Sequence, residues 1–381
     1  MDILINCLFA VSGGAVSYLR NLLPELSRLF EESREGHRLK ILAHESQKQL
    51  FPSIPDTNFC LLTGPRLVSY RRVLWEYRNI HKLVSEQKAD VLFIPYQIGP
   101  RVAGVKQVLM FRNMEPFLFH KYRYSLRSKI RNILLKLQSS RSLAMADRVI
   151  AVSDYVKNFA ANQLNVQASR ICKIYHGRDI GFKPEGEQDS NIKLLRVLGI
   201  SGDYILTCGS LLPYRRCEDV IEAFTRFVMS AGMRMKLVIA GSGTDTAYGN
   251  LIRRKIEGSQ VRELIIPVGH VSKEKMQTLY RHCLICIIAS EVEACPNIAI
   301  EAMASGCSII SSNSQPLPEM FRNCALSFQS RNIEDLIAKM RQCIEEDHLR
   351  ADLKASALLR AKDFQWTKCA SETFSALVEW D

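Results

Sequence analysis

Two glutamates, a proline and a glycine near residue 300 have the spacing of a binding site. The segment reads Glu293-Ala-Cys-Pro-Asn-Ile-Ala-Ile-Glu301-Ala-Met-Ala-Ser-Gly306. Pro296 suits the first position of a helix, and Gly306 suits the residue just past its end. Cys295 would then sit at the cap, where it caps poorly. The first backbone N–H groups stay open and carry the positive end of the helix dipole. Such an end accepts phosphate or the hydroxyl oxygens of a sugar, here over Ala294, Cys295, Asn297 and Ile298. Glu293 lies just before the helix, and Glu301 falls four residues after Asn297 on the same face. Ionised carboxylates accept from paired hydroxyls, so one could meet a sugar and the other a ribose diol. The competing reading is a surface helix with two solvated acids. The apolar strand before it, the Pro start and the Gly stop favour the site.

Elements able to position these groups alternate along the chain. In the first half, Ile3–Ala10 reads as a strand, Ser12-Gly13-Gly14-Ala15 as a tight turn and Val16–Phe30 as an amphipathic helix. Strand candidates follow at Val91–Pro95, Gln107–Phe111 and Arg148–Val152, the last leading into Ser153, a good helix N-cap. Around Arg178–Ile192 the periodicity lapses into polar residues with Gly and Pro, as in a linker. The alternation then resumes: strands Tyr204–Cys208, Lys236–Ala240, Leu264–Pro267, Leu284–Ala289 and Ser308–Ser311 are separated by helical segments. The length of 381 residues suits two domains. The expected fold class is α/β, with two Rossmann-like doubly wound domains facing across a cleft and ligands at the carboxyl ends of the strands. The expected division is 1–180, 193–355, and a closing helix over 356–381 that returns to the first domain.

Glu293 and Glu301, with seven residues between them, resemble the E-x7-E motif of the retaining glycosyltransferases of GT-B fold, family 4 (glycosyl transferases group 1). Gly209-Ser-Leu-Leu-Pro-Tyr-Arg-Arg216 running into Val220-Ile-Glu-Ala-Phe224 is similar to that family's "G-x-L-x-P-x-K" turn and "LIEAF" helix. Val268-Gly-His-Val271, Leu279-Tyr280, Ile150-Ala-Val-Ser153 and Tyr175-His-Gly177 match in the same order. The resemblance spans almost the whole chain and is sharpest over 204–320. It implies transfer of a hexose from a nucleoside-diphosphate sugar, a GDP-mannose or UDP-hexose type donor, to a glycan or lipid-linked acceptor in surface polysaccharide synthesis, with retention of anomeric configuration. Glu293 would hold the donor sugar and Glu301 the ribose. Arg215, helped by Arg216, would neutralise the leaving diphosphate. The Gly13-Gly14 turn would bring a second helix start to the phosphates. No cofactor is implied, and with no Asp-x-Asp pair in view the reaction is expected to need no metal. Two positions depart from the pattern. Ser210 stands where many relatives carry Arg, and Phe111-Arg112-Asn113-Met114 stands where many carry His. Arg112 or Asn113, with Asn113 preferred, is expected to face the donor sugar. His176 reads as a turn residue rather than a rival base.

Composition narrows the remaining classes. The chain is 47% hydrophobic and 24% charged, the balance of a water-soluble globular protein. The first fourteen residues read as a strand rather than a signal peptide, and no run approaches the roughly 18 apolar residues of a membrane span. Twelve scattered cysteines read as reduced core thiols of a cytoplasmic protein, Cys283-x-x-Cys286 included. Of the net charge of +12, residues 1–190 carry +11. Lys121–Arg141 concentrates it: Leu126, Ile130, Ile133, Leu134 and Leu137 recur at helical spacing among Arg123, Arg127, Lys129, Arg131 and Lys136. That profile suits a helix lying on an anionic membrane surface, placing the protein at the inner membrane face. The alternative is a solvated basic face whose apolar stripe packs inward. A nucleic-acid-binding protein is disfavoured because no aromatic platform interleaves the basic run. A non-catalytic nucleotide-sugar-binding protein and a sugar-nucleotide epimerase remain as further alternatives.

Overall fold

The computed structural model describes residues 1–10, 13–65, 69–184, 192–243 and 245–380. Much of the expected linker, 185–191, and Ser12 of the first turn lie outside the described residues. The chain divides into two compact units. Unit 1 comprises Met1–Asn113, Ile133–Gly177 and Phe364–Asp381; unit 2 comprises Met114–Asn132 and Arg178–Asp363.

Unit 1 holds seven strands: β1 Asp2–Asn6, β2 Arg38–His44, β3 Phe59–Leu62, β4 Val91–Ile94, β5 Lys106–Phe111, β6 Arg148–Ala151 and β7 Ile171–Lys173. They pair in parallel in the order β3-β2-β1-β4-β5-β6-β7. The reversal between β1 and β4 is the switch point at which open α/β sheets bind ligands. The central strands are buried on both faces, which is why Val91-Leu-Phe-Ile94 and Val149-Ile-Ala151 are unbroken apolar runs. The first strand ends at Asn6, earlier than the apolar run to Ala10 suggests. The closing helix Trp366–Val378 packs on Gly14–Glu32 in this unit, where Phe374 meets Phe30 edge-on at 4.9 Å between ring centres. His176 is buried between Tyr18 and Trp366 at ring distances of 5.0 and 6.3 Å, the surroundings of a packing residue.

Unit 2 is the smaller sheet: β8 Tyr204–Cys208, β9 Lys236–Ala240, β10 Ile265–Gly269, β11 Ile285–Ile288, β12 Ile309–Ser312 and β13 Leu326–Phe328. The order is β10-β9-β8-β11-β12-β13, all parallel, with the switch point between β8 and β11. Phe224 and Phe227 from the helix Cys217–Ala231 pack with Leu237, Ile285, Ile287 and Ile310 of the sheet.

The division corrects the expected boundaries. Residues 114–132, expected inside the first domain, cluster with unit 2, and so do 356–363. Specific contacts explain the first case: Ser125 N donates to Asp245 at 3.1 Å, and Tyr122 meets Tyr214 edge-on at 6.3 Å. The helix Leu126–Met145 is shared, its residues after Asn132 belonging to unit 1.

At the carboxyl edge of unit 2, two glycines are indispensable. A Cβ on Gly241, whose φ is +150°, would stand 1.8 Å from the Gly209 carbonyl oxygen. Gly209 itself has φ +118° and donates to Ala240 O at 2.9 Å. Gly241→Ala is therefore expected to lower stability by about 2–4 kcal/mol, combining backbone clash with a forbidden φ. Urea denaturation checks this; an unchanged midpoint would show that the two turns are not packed as described.

Candidate active site

The site residues of unit 2 hang on the two strands that flank its switch point. Beyond β8, the chain turns at Gly209, and a short 3-10 turn over Pro213–Arg215 carries Arg215 back over the strand ends. Beyond β11 come Ser290 and Glu293. The Arg215 guanidinium and the Glu293 carboxylate form an ion pair, both largely shielded from water. Arg215 Nη1 also donates to Ser290 Oγ at 3.2 Å, and its guanidinium lies 5.5 Å from the ring centre of Tyr214. Burial works against the Arg215 charge, but Glu293 and Tyr214 outweigh it and keep the guanidinium protonated. Burial likewise pushes the Glu293 carboxyl up, against the pull of Arg215 and Ser290. A small pocket opens beside this pair, lined by Cys208, Gly209, Ser210, Arg215 and Ser290 together with apolar residues such as Ile239 and Ile288.

The helix after Glu293 runs Asn297–Ala304 and starts without a side-chain cap. Pro296 is its cap rather than its first residue, because its ψ of 118° is extended. This moves the expected start by one residue. Gly306, with φ +71°, stands just past the end as expected. Ala294 and Cys295 are buried, and Asn297 and Ile298 are half-buried. Glu301, one turn into the helix, meets the Tyr280 hydroxyl at 3.4 Å. Tyr280 also lies 3.1 Å from Cys208 Sγ, tying the helix to the end of β8. Burial raises the Glu301 carboxyl to about 7, opposed by Tyr280, with Asp179 raising it further.

Arg216 is placed differently from expectation. It pairs with Glu218 at 2.8 Å and Asp219 at 2.7 Å, so its charge is spent at the start of the next helix. Its φ of +53° turns the chain there, and the local carboxylates then capture the side chain. Within unit 1, Arg112 Nη2 donates to Gly14 O at 2.9 Å and its guanidinium lies 5.1 Å from the Tyr18 ring centre. Arg112 thus braces the first helix. Gly13, at φ +63° and ψ −145°, sits where only glycine is comfortable and leaves that helix without a side-chain cap. The backbone of Asn113 is clasped on both sides by Gln97, at 2.8 and 3.0 Å. Ser210 is exposed on the turn. Ser290, Tyr214 and Tyr280 stand at the site without a role in the sequence reading, although Tyr214 and Tyr280 lie within its matched motifs. Ser290 had a signal as the polar residue ending an apolar strand.

Comparison with known proteins identifies the family and the fold. The glycosyl transferases group 1 model matches residues 197–360, and the Glycosyltransferase Family 4 model matches residues 12–182. The chain belongs to the family 4 glycosyltransferases. Among curated relatives it is 22% identical to the O-antigen chain mannosyltransferase B of Escherichia coli, over 83% of this chain and 79% of that one. It is 22% identical to a D-inositol 3-phosphate glycosyltransferase of Thermobifida fusca over 59% of this chain, spanning about half (53%) of that protein. Among solved structures, Anabaena HepE in complex with UDP superposes with a TM-score of 0.73 at 16% identity over the full length of both. WaaG, a glycosyltransferase involved in lipopolysaccharide biosynthesis, gives 0.73 at 14%, again over both whole chains. These two show the fold, GT-B. The family makes the chain a glycosyltransferase.

Two expectations follow from the burial of the acids. Between pH 4.5 and 7 the folded chain keeps a proton on Glu301 that the unfolded chain has released. Stability from this group therefore falls as pH rises through that window and levels off above about 7. Denaturation midpoints at pH 5 and pH 8 should differ less for Glu301→Gln than for the wild type; equal slopes would mean the carboxyl is not buried. Glu293→Ala should cost about 3–5 kcal/mol, because it strands the Arg215 charge away from water. Glu293→Ala/Arg215→Met should recover part of that loss in the same urea titration.

Proposed function

We propose that the protein is a retaining hexosyltransferase that uses a nucleoside-diphosphate sugar and needs no metal ion. The observation that carries this is the buried Arg215–Glu293 pair at the switch point of unit 2. Without donor, each partner neutralises the other. When a diphosphate reaches Arg215, the phosphate oxygens take over the guanidinium, and Glu293 is released to accept from a sugar hydroxyl. Charge that builds on the departing phosphate then meets a cation already fixed in place, which favours the transition state over the ground state. The uncapped start of Asn297–Ala304 supplies further donors to phosphate and sugar oxygens. Glu301 accepts from the ribose diol, for which it must be ionised. Within unit 1, the uncapped helix start at Gly13-Gly14 suits an anion and Asn113 suits a sugar hydroxyl. Transfer proceeds by attack on the face the leaving phosphate vacates, with that phosphate taking the acceptor proton. GDP-mannose and UDP-hexose donors both fit, and the acceptor is a glycan or lipid-linked saccharide of surface polysaccharide synthesis.

The lipid-linked acceptor gains support from the helix Leu126–Met145. Leu126, Ile130, Ile133, Leu134 and Leu137 lie on one of its faces and are 74, 51, 47, 54 and 63% exposed. The apolar stripe is not packed inward, which removes the alternative of a solvated basic face over a buried stripe. Arg127, Lys129, Arg131, Lys136 and Arg141 flank it, all exposed. An anionic bilayer surface at the cytoplasmic side satisfies both features together. Among the described residues, no helix is long and apolar enough to cross a membrane.

Thermal shift with GDP, UDP and ADP, with and without EDTA, tests the donor site. One nucleotide should raise the melting temperature, EDTA should leave the rise intact, and Glu301→Ala should shrink it. The affinity should weaken as pH falls through about 7, as Glu301 takes up its proton. Donor hydrolysis lost in Glu293→Gln with nucleotide binding kept would separate a transferase from a binding-only protein. No shift with any nucleotide would overturn the reading. Flotation with phosphatidylglycerol vesicles should carry the wild type but not Leu126→Gln/Leu134→Gln/Leu137→Gln; equal flotation of both would reject the membrane surface.

A further inference from the structure

A second cavity lies wholly within unit 1, at the carboxyl ends of β1, β2 and β3. Its volume is about 300 Å³, at the lower bound for small-ligand sites. Leu8, Leu62 and Pro65 line it together with His44, Gln47, Thr63, Arg72 and Trp75. None of these residues is used by the transfer chemistry above.

Two of the polar residues in the wall are scaffolding. Both ring nitrogens of His44 are occupied, by Ser46 Oγ and Gly64 O, each at 2.8 Å. Gln47 donates to Cys7 O at 3.0 Å and Ala10 O at 2.7 Å, and it accepts from His44 N at 2.9 Å. Arg72 is different. Its side chain is 14% exposed, and its buried Nε has no hydrogen-bond acceptor among the described residues. The nearest acid, Glu76, stands 3.7 Å away at Oε1, beyond hydrogen-bond reach. Glu76 is in turn buried and accepts from Asn6 Nδ2 at 3.3 Å, so it is held at the end of β1. Glu76 thus holds the guanidinium in the cavity wall by charge without accepting from its Nε, and Arg72 remains a donor-bearing side chain lining the cavity. One turn along the same helix, Trp75 presents a half-buried indole to the same cavity. An aromatic surface beside a rigid fork of donors and a hydroxyl suits a pyranose ring. The C–H face of the sugar packs on the indole, and its hydroxyls accept from Arg72 and exchange hydrogen bonds with Thr63.

We propose that this cavity is a saccharide-binding site taking one pyranose ring, with Trp75 as platform and Arg72 and Thr63 as hydrogen-bonding groups. It rests on the transferase reading only in that the ring is taken to belong to the acceptor glycan, away from the sugar that receives the transfer. Pyranose binding itself is tested apart from that reading.

The probes are methyl α-D-mannopyranoside, methyl α-D-glucopyranoside and D-glucuronate, each titrated into the full chain held saturated with UDP or GDP. Saturation-transfer NMR reads the sugar protons, so the signal does not depend on the tryptophan. At least one pyranose should bind saturably, about tenfold more weakly in Trp75→Ala. Trp75→Phe should keep most of the affinity, and Thr63→Val, on an exposed position that threatens no packing, should weaken it. Nucleotide thermal shifts should be the same in all four proteins. No saturable binding of any of the three sugars overturns the proposal, as does binding indifferent to both Trp75→Ala and Thr63→Val. If nucleotide still binds in those cases, the transferase reading stands while this one falls. If sugars bind and no nucleotide does, the reverse holds.

Discussion

A guanidinium and a carboxylate are expensive to remove from water one at a time and tolerable as a pair. The Arg215–Glu293 contact exists because two strand ends, β8 and β11, stand side by side and each delivers one of the partners. Everything around the pair serves that placement. Gly209 and Gly241 bring the turns after β8 and β9 into backbone contact, Ser290 takes a spare guanidinium donor, and Tyr214 covers the cation. A buried pair of this kind adds little net stability, since desolvation offsets most of its attraction. Its value lies in exchange: a ligand that brings phosphate and hydroxyl groups can replace both halves of the interaction without leaving either charge bare.

The same economy shows in the second acid. Glu301 is buried beside Tyr280 with a carboxyl raised to about 7, so the unliganded site carries it partly as the neutral acid. A ribose diol that donates to it would pay for its ionisation. Burial thus raises both acids of unit 2, and for Glu293 the paired Arg215 works against that rise.

Unit 1 shows how a departure from a familiar pattern can be absorbed. Where a histidine is common, the chain has Arg112-Asn113, and the structure turns Arg112 onto Gly14 O and the Tyr18 ring. Its guanidinium ties β5 to the first turn of the helix Gly14–Glu32 through that carbonyl. Arg216 is a parallel case in unit 2, where Glu218 and Asp219 lie three residues away or fewer and pair with the cation. In both, a local partner of opposite charge or exposed lone pairs outcompetes the role suggested by position in a motif.

The sequence by itself determined the α/β architecture and the local spacing of Glu293 and Glu301. Strands buried on both faces must be apolar along their whole length, so Tyr204–Cys208, Lys236–Ala240 and Ile285–Ile288 stand out between Gly, Pro and Asp. The Glu293–Glu301 spacing is likewise local, because one loop and one helical turn fix both positions. What only the tertiary structure decided depends on groups far apart in sequence. Tyr280 reaches Cys208 and Glu301, residues 122 and 125 settle against 214 and 245, and Arg72 and Trp75 close a cavity opposite Thr63. Sequence periodicity tells which face of an element is apolar. It does not tell which distant polar atom that face will meet, because the meeting is set by sheet order and by side-chain packing across it.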